Sequence, residues 1–348
     1  MDCMANALFR SFLVCSSAIF CISRSAGQGN TIASPDSVKN YVDTILHIAR
    51  EHSLFRKNVD WLAITDSVYA KIQGAKTIPE AIPAIQFMLK ALGDKHGALV
   101  YDGKWYSKTS ADKAPDFRKP LLDQLIAGVK LKAALLRGHY GYILIPYVGV
   151  TAPADVAAYA QGVQDSICKI NSPAVKGWII DLRLNRGGNM NSMLAGIGNI
   201  IGDGKIGAFL TPDGAIETDW DLKDGDIYVY GMKTVDLANK CTIREHIKVA
   251  VLLSEATCSS GEVVAIALKG RPNTRFFGER TSGYVTANNT YKLDRHSFLL
   301  LATNYETDRN NNIYRDYIDP DVTMIDGDNF LNLDNDLKIK AALEWLSK

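Results

Sequence analysis

The chain has 348 residues, of which 47% are hydrophobic and 22% charged, so it is long enough for two domains, or for one large domain with a helical extension, and a core is easily buried. Its formal charge is +1, and no Lys/Arg cluster is interleaved with aromatic residues, which excludes nucleic acid and an anionic membrane surface as expected partners. Arg10 precedes an apolar stretch, Ser11 to Ile22, that is too short to span a bilayer comfortably but suits a signal peptide. With Ser23 and Ser25 following it, residues 1–25 read as a signal peptide and Ala26 as the first mature residue, placing the protein outside the cytoplasm. Neither Cys15, after Val14, nor Cys21, after Phe20, has the small preceding residue of a lipoprotein signal, so no lipid anchor is expected. Cys3, Cys15 and Cys21 leave with the signal. Cys168, Cys241 and Cys258 remain, which permits at most one disulfide within the chain and leaves at least one thiol.

After a Gly/Ser-rich lead, Ser34-Pro35-Asp36 starts a helix, a second covers about Val59 to Ile72, and a third runs from near Thr77 to Leu92. They make a small N-terminal helical domain, residues 26–102, of an α/β protein. The third helix ends in Gly93-Asp94-Lys95-His96-Gly97, and a strand follows over Ala98 to Tyr101. A histidine in a Gly-bounded turn can be presented to a neighbouring domain, which favours His96 over His47, His52, His139, His246 and His296. Gly103 to Pro120 is polar and aperiodic, a loop or flap within a linking region, residues 103–139; Leu121 to Ala127 suits a short helix and Val129 to Leu136 an edge strand. The core domain, residues 140–348, opens with a strand at Gly141 to Pro146, a helix at Pro153 to Ile170 and a second buried strand at Gly177 to Arg183, a crossover unit that implies parallel strands. That strand leads into Asn185-Arg186-Gly187-Gly188-Asn189-Met190, where paired glycines allow a close backbone approach to a ligand. Residues 203–247 read as hairpins over one edge. A strand at Thr274 to Phe277, a hairpin over 284–306 turning at Asn288-Asn289, and a helix at Leu337 to Trp345 close the chain.

Between these lies Val249 to Gly270. Five consecutive apolar residues form a strand, Ser259-Ser260-Gly261 a turn, and Val263 to Leu268 an apolar helix. Such a turn can hold a hydroxyl nucleophile at a helix N-terminus, where backbone N–H groups stabilise an oxyanion. The same residues also suit a plain N-cap with Glu262 as a first-turn charge, and the turn by itself leaves both open.

Three pieces in order resemble the tail-specific, or C-terminal processing, serine peptidases: Asp181-Leu182-Arg183 with Asn185 and Gly187-Gly188; Ser259-Ser260-Gly261-Glu262; and Gly278-Glu279-Arg280-Thr281. Tyr317-Ile318-Asp319-Pro320-Asp321 looks like the family's closing segment, so the resemblance covers about residues 140 to 325. It implies a crotonase-like core, Ser259 as nucleophile, and an oxyanion site from the backbones of Ser260 and of Gly187 or Gly188. The family's lysine base falls at Tyr284 here, and a tyrosine, with a pKa of about 10, is a poor base near neutrality. The segment between His96 and Tyr140 is too short for the PDZ domain of those enzymes, which needs ~80 residues. Both departures resemble the branch with tricorn-core-like enzymes and nisin resistance proteins, in which a histidine from the preceding domain is the base. The resemblance thus implies a Ser259/His96 dyad, an oxyanion between Gly188 and Ser260, Asn189 and Met190 lining the substrate, and Glu262 orienting the base or binding peptide. No cofactor and no metal is expected.

The expected function is a secreted serine peptidase acting on extended peptides or protein C-terminal tails. The alternative is a non-catalytic protein on the same fold that binds peptides or small hydrophobes; such a protein has no reason to keep Ser259 and a histidine base together. An acyl-CoA enzyme of the wider crotonase fold needs no serine nucleophile.

Overall fold

The computed structural model describes residues 35–107 and 117–348. The signal segment expected over 1–25, the helix start expected at Ser34 and part of the polar loop lie outside them. Three helices come first: α1 (Pro35–His52), α2 (Trp61–Lys71) and α3 (Ile78–Leu92). Asp60 accepts the amides of Leu62 and Ala63, so α2 begins at Trp61 rather than Val59. Pro79 lies in the first turn of α3, and Gly93 closes that helix at φ 75°. Their apolar faces, with Val42, Ile45, Val68, Ile85 and Met88 buried, meet Leu99, Leu299 and Leu301 of a sheet.

The strand expected over Ala98 to Tyr101 opens that sheet, and a second strand forms where the sequence suggested only a loop. Strands β1 (Ala98–Tyr101) and β2 (Lys104–Ser107) pair antiparallel around Asp102-Gly103, both at positive φ, the backbone of a tight hairpin turn. Next come α4 (Lys119–Ala127), β3 (Lys132–Leu136), β4 (Tyr140–Leu144), α5 (Pro153–Ile170) and β5 (Gly177–Asp181). Helices α6 (Met190–Gly196) and α7 (Gly198–Ile201) lead to an antiparallel meander of β6 (Gly204–Leu210), β7 (Ile216–Lys223), β8 (Asp226–Val229) and β9 (Met232–Lys233). The chain continues through β10 (Lys248–Leu253), α8 (Ser260–Leu268), β11 (Thr274–Gly278), β12 (Thr286–Lys292), β13 (Ser297–Asp308), β14 (Ile313–Tyr314), β15 (Val322–Thr323) and α9 (Leu337–Ser347).

The smaller sheet has the order β15-β11-β10-β5-β4-β3, parallel throughout except that β3 runs antiparallel to β4. Helix α5 makes the β4-to-β5 crossover and α8 the β10-to-β11 crossover. The larger sheet runs β2-β1-β13-β6-β7-β8-β9, with β12 and β14 also on β13. The main core lies between the two sheets around the fully buried α8. A second layer packs α9 and Leu121 of α4 on the other face of the parallel sheet. Asn288 and Asn289 are not a turn: they lie inside β12, beside a register shift at Ala287/Asn288, and the chain reverses over 293–296, where Asp294 accepts the His296 amide. Cys168 on α5 is joined to Cys241, with Cα atoms 5.5 Å apart, while Cys258 is buried and keeps its thiol. Among the described residues no helix is long and apolar enough to cross a membrane.

Candidate active site

Three parallel strands deliver their carboxyl ends to one place, where an open α/β sheet leaves a crevice for ligands. The segment after β10 is fastened to the end of β5: Ser254 Oγ donates to the Arg183 carbonyl (2.6 Å), Thr257 Oγ1 to that of Leu182 (2.9 Å), and the Cys258 amide to that of Asn185 (3.0 Å). From this base the chain turns sharply into α8. Ser259 sits at φ 53° and ψ −123°, a conformation a non-glycine residue holds only at a cost of about 1–3 kcal/mol and only where its surroundings enforce it. Glu262 does the enforcing. Its carboxylate accepts the amides of Ser259, Gly283 and Tyr284, each at 2.8 Å, and the hydroxyl of Thr281. Burial pushes the Glu262 carboxyl up to about 7 against the pull of those donors.

The other half of the site comes from the turn after α3. Asp94 Oδ1 accepts the amides of His96 (2.8 Å) and Gly97 (2.7 Å), and Oδ2 accepts the Ala302 amide of β13 (3.0 Å). Asn288 Nδ2 donates to the His96 carbonyl (2.9 Å). The imidazole is thereby carried to Ser259: His96 Nε2 and Ser259 Oγ are 3.1 Å apart. Nδ1 lies 2.8 Å from the Thr286 carbonyl and 3.1 Å from its hydroxyl. A carbonyl can only accept, so Nδ1 carries the proton and Nε2 faces the serine hydroxyl as an acceptor. Burial lowers the His96 pKa to about 4, so the ring is neutral near pH 7. The ring of Tyr284 meets it edge-on at 5.4 Å. The five other histidines are all exposed.

Gly187 and Gly188, at φ 93° and 112°, border the same point. A Cβ on Gly187 would lie 2.9 Å from Ser259 Cβ, and one on Gly188 only 2.0 Å from the Val148 carbonyl, so neither position admits a side chain. The Gly187 amide donates to Asn185 Oδ1 (2.8 Å), while Ser260 Oγ donates to the Gly188 carbonyl (2.7 Å). Asn189 caps α6 by accepting the Ser192 amide, and with Gly188 and Met190 it lines a cavity of about 350 Å³ that adjoins the serine turn through Gly188. Thr286 and Asp94 received no role from the sequence. The Asp-x-His-Gly spacing of a side chain capping its own turn was the available signal for Asp94; Thr286 acts through its backbone and left none.

Comparison with known proteins defines the class as that of the peptidases. The chain belongs to peptidase family S41, which it matches over residues 139–324. It is 30% identical to the nisin-resistance protein of Lactococcus lactis subsp. lactis over 319 residues, 91% of this chain and 89% of that protein. It is 27% identical over 210 residues to a carboxy-terminal-processing protease of Bartonella bacilliformis, covering 59% of this chain and 44% of that one. A lipoprotein from Streptococcus agalactiae shares the fold at a TM-score of 0.68 and 23% identity, over 91% of this chain and 99% of that one. So does the photosystem II D1 C-terminal processing protease, at 0.55 and 15%, over 83% and 93%.

Proposed function

We propose that the protein is a secreted serine peptidase that hydrolyses peptide bonds in extended peptides or protein C-terminal tails, with Ser259 as nucleophile and His96 as general base. The observation that carries this reading is the 3.1 Å contact between His96 Nε2 and Ser259 Oγ, made by a ring whose tautomer leaves Nε2 able to take the proton. His96 Nε2 removes the hydroxyl proton as Oγ attacks the scissile carbonyl, then returns it to the leaving amine, and water repeats the cycle on the acyl-enzyme. The oxyanion is received by the backbone N–H groups of Gly188 and of Ser260 at the start of α8; Gly187 is set aside because its amide already serves Asn185. Glu262 is enclosed beneath Ser259 and braces the turn, without touching peptide. Asn189 and Met190 face the substrate from the cavity. The outer edge of β12 suits an extended chain, since among the described residues β12 pairs with β13 alone.

The finer placement belongs to the same reading: a crotonase-like core, supported by the β4-α5-β5 and β10-α8-β11 crossovers, preceded by a helical domain with its own apolar cluster. Secretion is supported by the Cys168–Cys241 disulfide, which oxidising compartments favour, and peptide substrates by the likeness to the nisin-resistance and carboxy-terminal-processing proteins. The test is covalent labelling by a serine-directed phosphonate. Label is expected on Ser259 in the wild type and absent in Ser259→Ala and His96→Ala, each shown to be folded by circular dichroism. Full labelling of His96→Ala would remove the dyad, and no labelling of the wild type would leave a binding protein.

A further inference from the structure

One buried acid in the site has no part in this mechanism. Glu306 lies on β13 opposite Phe209 of β6 and Tyr314 of β14, is 2% exposed, and lines the cavity beside Gly188 and Met190. Its Oε2 is enclosed and meets no hydrogen-bond partner. Burying a carboxyl without a partner is costly, and among the described residues such groups are otherwise tied into networks. Burial, and then the nearby Glu262 carboxylate, push the Glu306 carboxyl well up from its ordinary value, so it ionises readily only when a counter-charge arrives.

The cavity offers no such charge itself. Its Lys233 is committed outward to Asp226 and Asp236, each at 3.0 Å. Asn304, on the cavity wall, donates to a second carboxylate, Glu217 (2.6 Å), which also accepts the hydroxyl of Tyr230. At the mouth, Tyr230 and Met232 are 55% and 66% exposed and give the aliphatic stem of a long side chain an apolar wall. An acid-floored, apolar-walled cavity that shares Gly188 with the oxyanion position fits a long cationic side chain.

We infer that Glu306 is a specificity-determining residue: the cavity takes a lysine or arginine side chain of the substrate next to the attacked carbonyl, and Glu306 binds its charge. This rests on the serine peptidase reading above.

The test uses two diphenyl phosphonates that differ only beside the phosphorus, one carrying the lysine side chain and one the uncharged norleucine side chain, on the full chain and on Glu306→Gln, which preserves shape. In the wild type the lysine compound should label Ser259 about tenfold faster or more, and Glu306→Gln should bring the ratio near unity while leaving the norleucine rate within about twofold. A fluorogenic peptide library should show the same basic preference, lost in the variant. Equal rates in the wild type, or a lysine preference that survives in a folded Glu306→Gln, would overturn the inference while leaving the peptidase reading intact. Failure of both compounds to label Ser259 would overturn the peptidase reading and this inference with it.

Discussion

The backbone carbonyl of Thr286 lies 2.8 Å from Nδ1 of His96, in the place where an acid completes a Ser-His-Asp triad. A carbonyl fixes the tautomer and the ring plane as an acid does, but it supplies no net charge to an imidazolium formed in the proposed attack. The side chain of Thr286 adds only a second, longer contact at 3.1 Å. Thr286→Val, which keeps the carbonyl, should therefore lower kcat/KM by less than about tenfold, whereas Ser259→Ala and His96→Ala should each cost about 10⁴-fold or more. Steady-state rates on one fluorogenic peptide decide it: a Thr286→Val loss as large as the His96→Ala loss would make the hydroxyl the working partner.

His96 also sets a pH dependence whose sign is fixed. Burial lowers its pKa from 6.5 to about 4 in the folded protein. Between those values the unfolded chain binds a proton that the native state refuses, so stability is fully present above about pH 6.5 and is lost as the pH falls towards 4, by on the order of 3 kcal/mol. Glu262 works the other way, because its raised value makes the native state bind more protons between 4.5 and about 7. Comparing urea unfolding of the wild type with His96→Gln across pH 4 to 7 separates the two. The wild type should lose more stability on acidification than the variant, and the His96 ring should titrate by NMR near pH 4. A ring that titrates at 6.5 or above would contradict the burial argument.

How much of this was legible depended on whether a residue acts through its side-chain type or through its backbone. Ser259 and His96 stood out because a Ser-Ser-Gly turn after an apolar strand and a histidine between glycines are local patterns, and their meeting across 163 positions was implied only by family resemblance. Thr286 was invisible because its carbonyl is common to all residues. The Asn288-Asn289 pair misled, since asparagine favours turns in general, yet here the pair sits in a strand whose partner β13 is long enough to carry it past the register shift. Conversely, Tyr101-Asp102-Gly103-Lys104 carried a real hairpin signal that the polar residues after it obscured. Of the buried charges around Arg183, Asp181 stands two residues away, but Asp328 and Asp336 lie far along the chain and could not be read as its partners.

The disulfide gives a third prediction. Cys168 and Cys241 enclose a separation of 73 residues and tie α5 to the loop before β10, so cross-linking restricts a large loop in the unfolded chain. Replacing both with alanine should cost about 4 kcal/mol on the chain-entropy estimate. Chemical denaturation under oxidising and reducing conditions measures this directly. Reductant should reproduce the destabilisation in the wild type and have no effect on the double variant. Thiol titration of oxidised protein produced without residues 1–25 should find Cys258 reactive only after unfolding, since it is 1% exposed.

Asp181, Arg183 and Glu279, which helped to carry the family resemblance, do their work at the C-terminus. Arg183, fully buried, donates to Asp181 through Nε and Nη2 (2.9 and 2.6 Å) and through Nη1 to Asp328 and Asp336, both at 2.7 Å. Lys338 of α9 reaches Glu279 (2.6 Å) and Asp328 (2.9 Å), and Arg118 also meets Glu279 (2.6 Å). This network clamps α9 against the parallel sheet directly behind the Ser254–Cys258 segment, whose Ser254 hydroxyl bonds the Arg183 carbonyl. Arg183→Met strips the cation from three carboxylates that stay buried, and removing one side of such a pair costs about 3–5 kcal/mol. The urea midpoint should fall accordingly, whereas Glu344→Gln, which breaks the exposed pair with Lys348, should leave it unchanged. Because the network supports the Ser259 turn from behind, Arg183→Met should also slow phosphonate labelling of Ser259 under conditions where the variant is fully folded. Labelling at the wild-type rate would confine the network to stability alone.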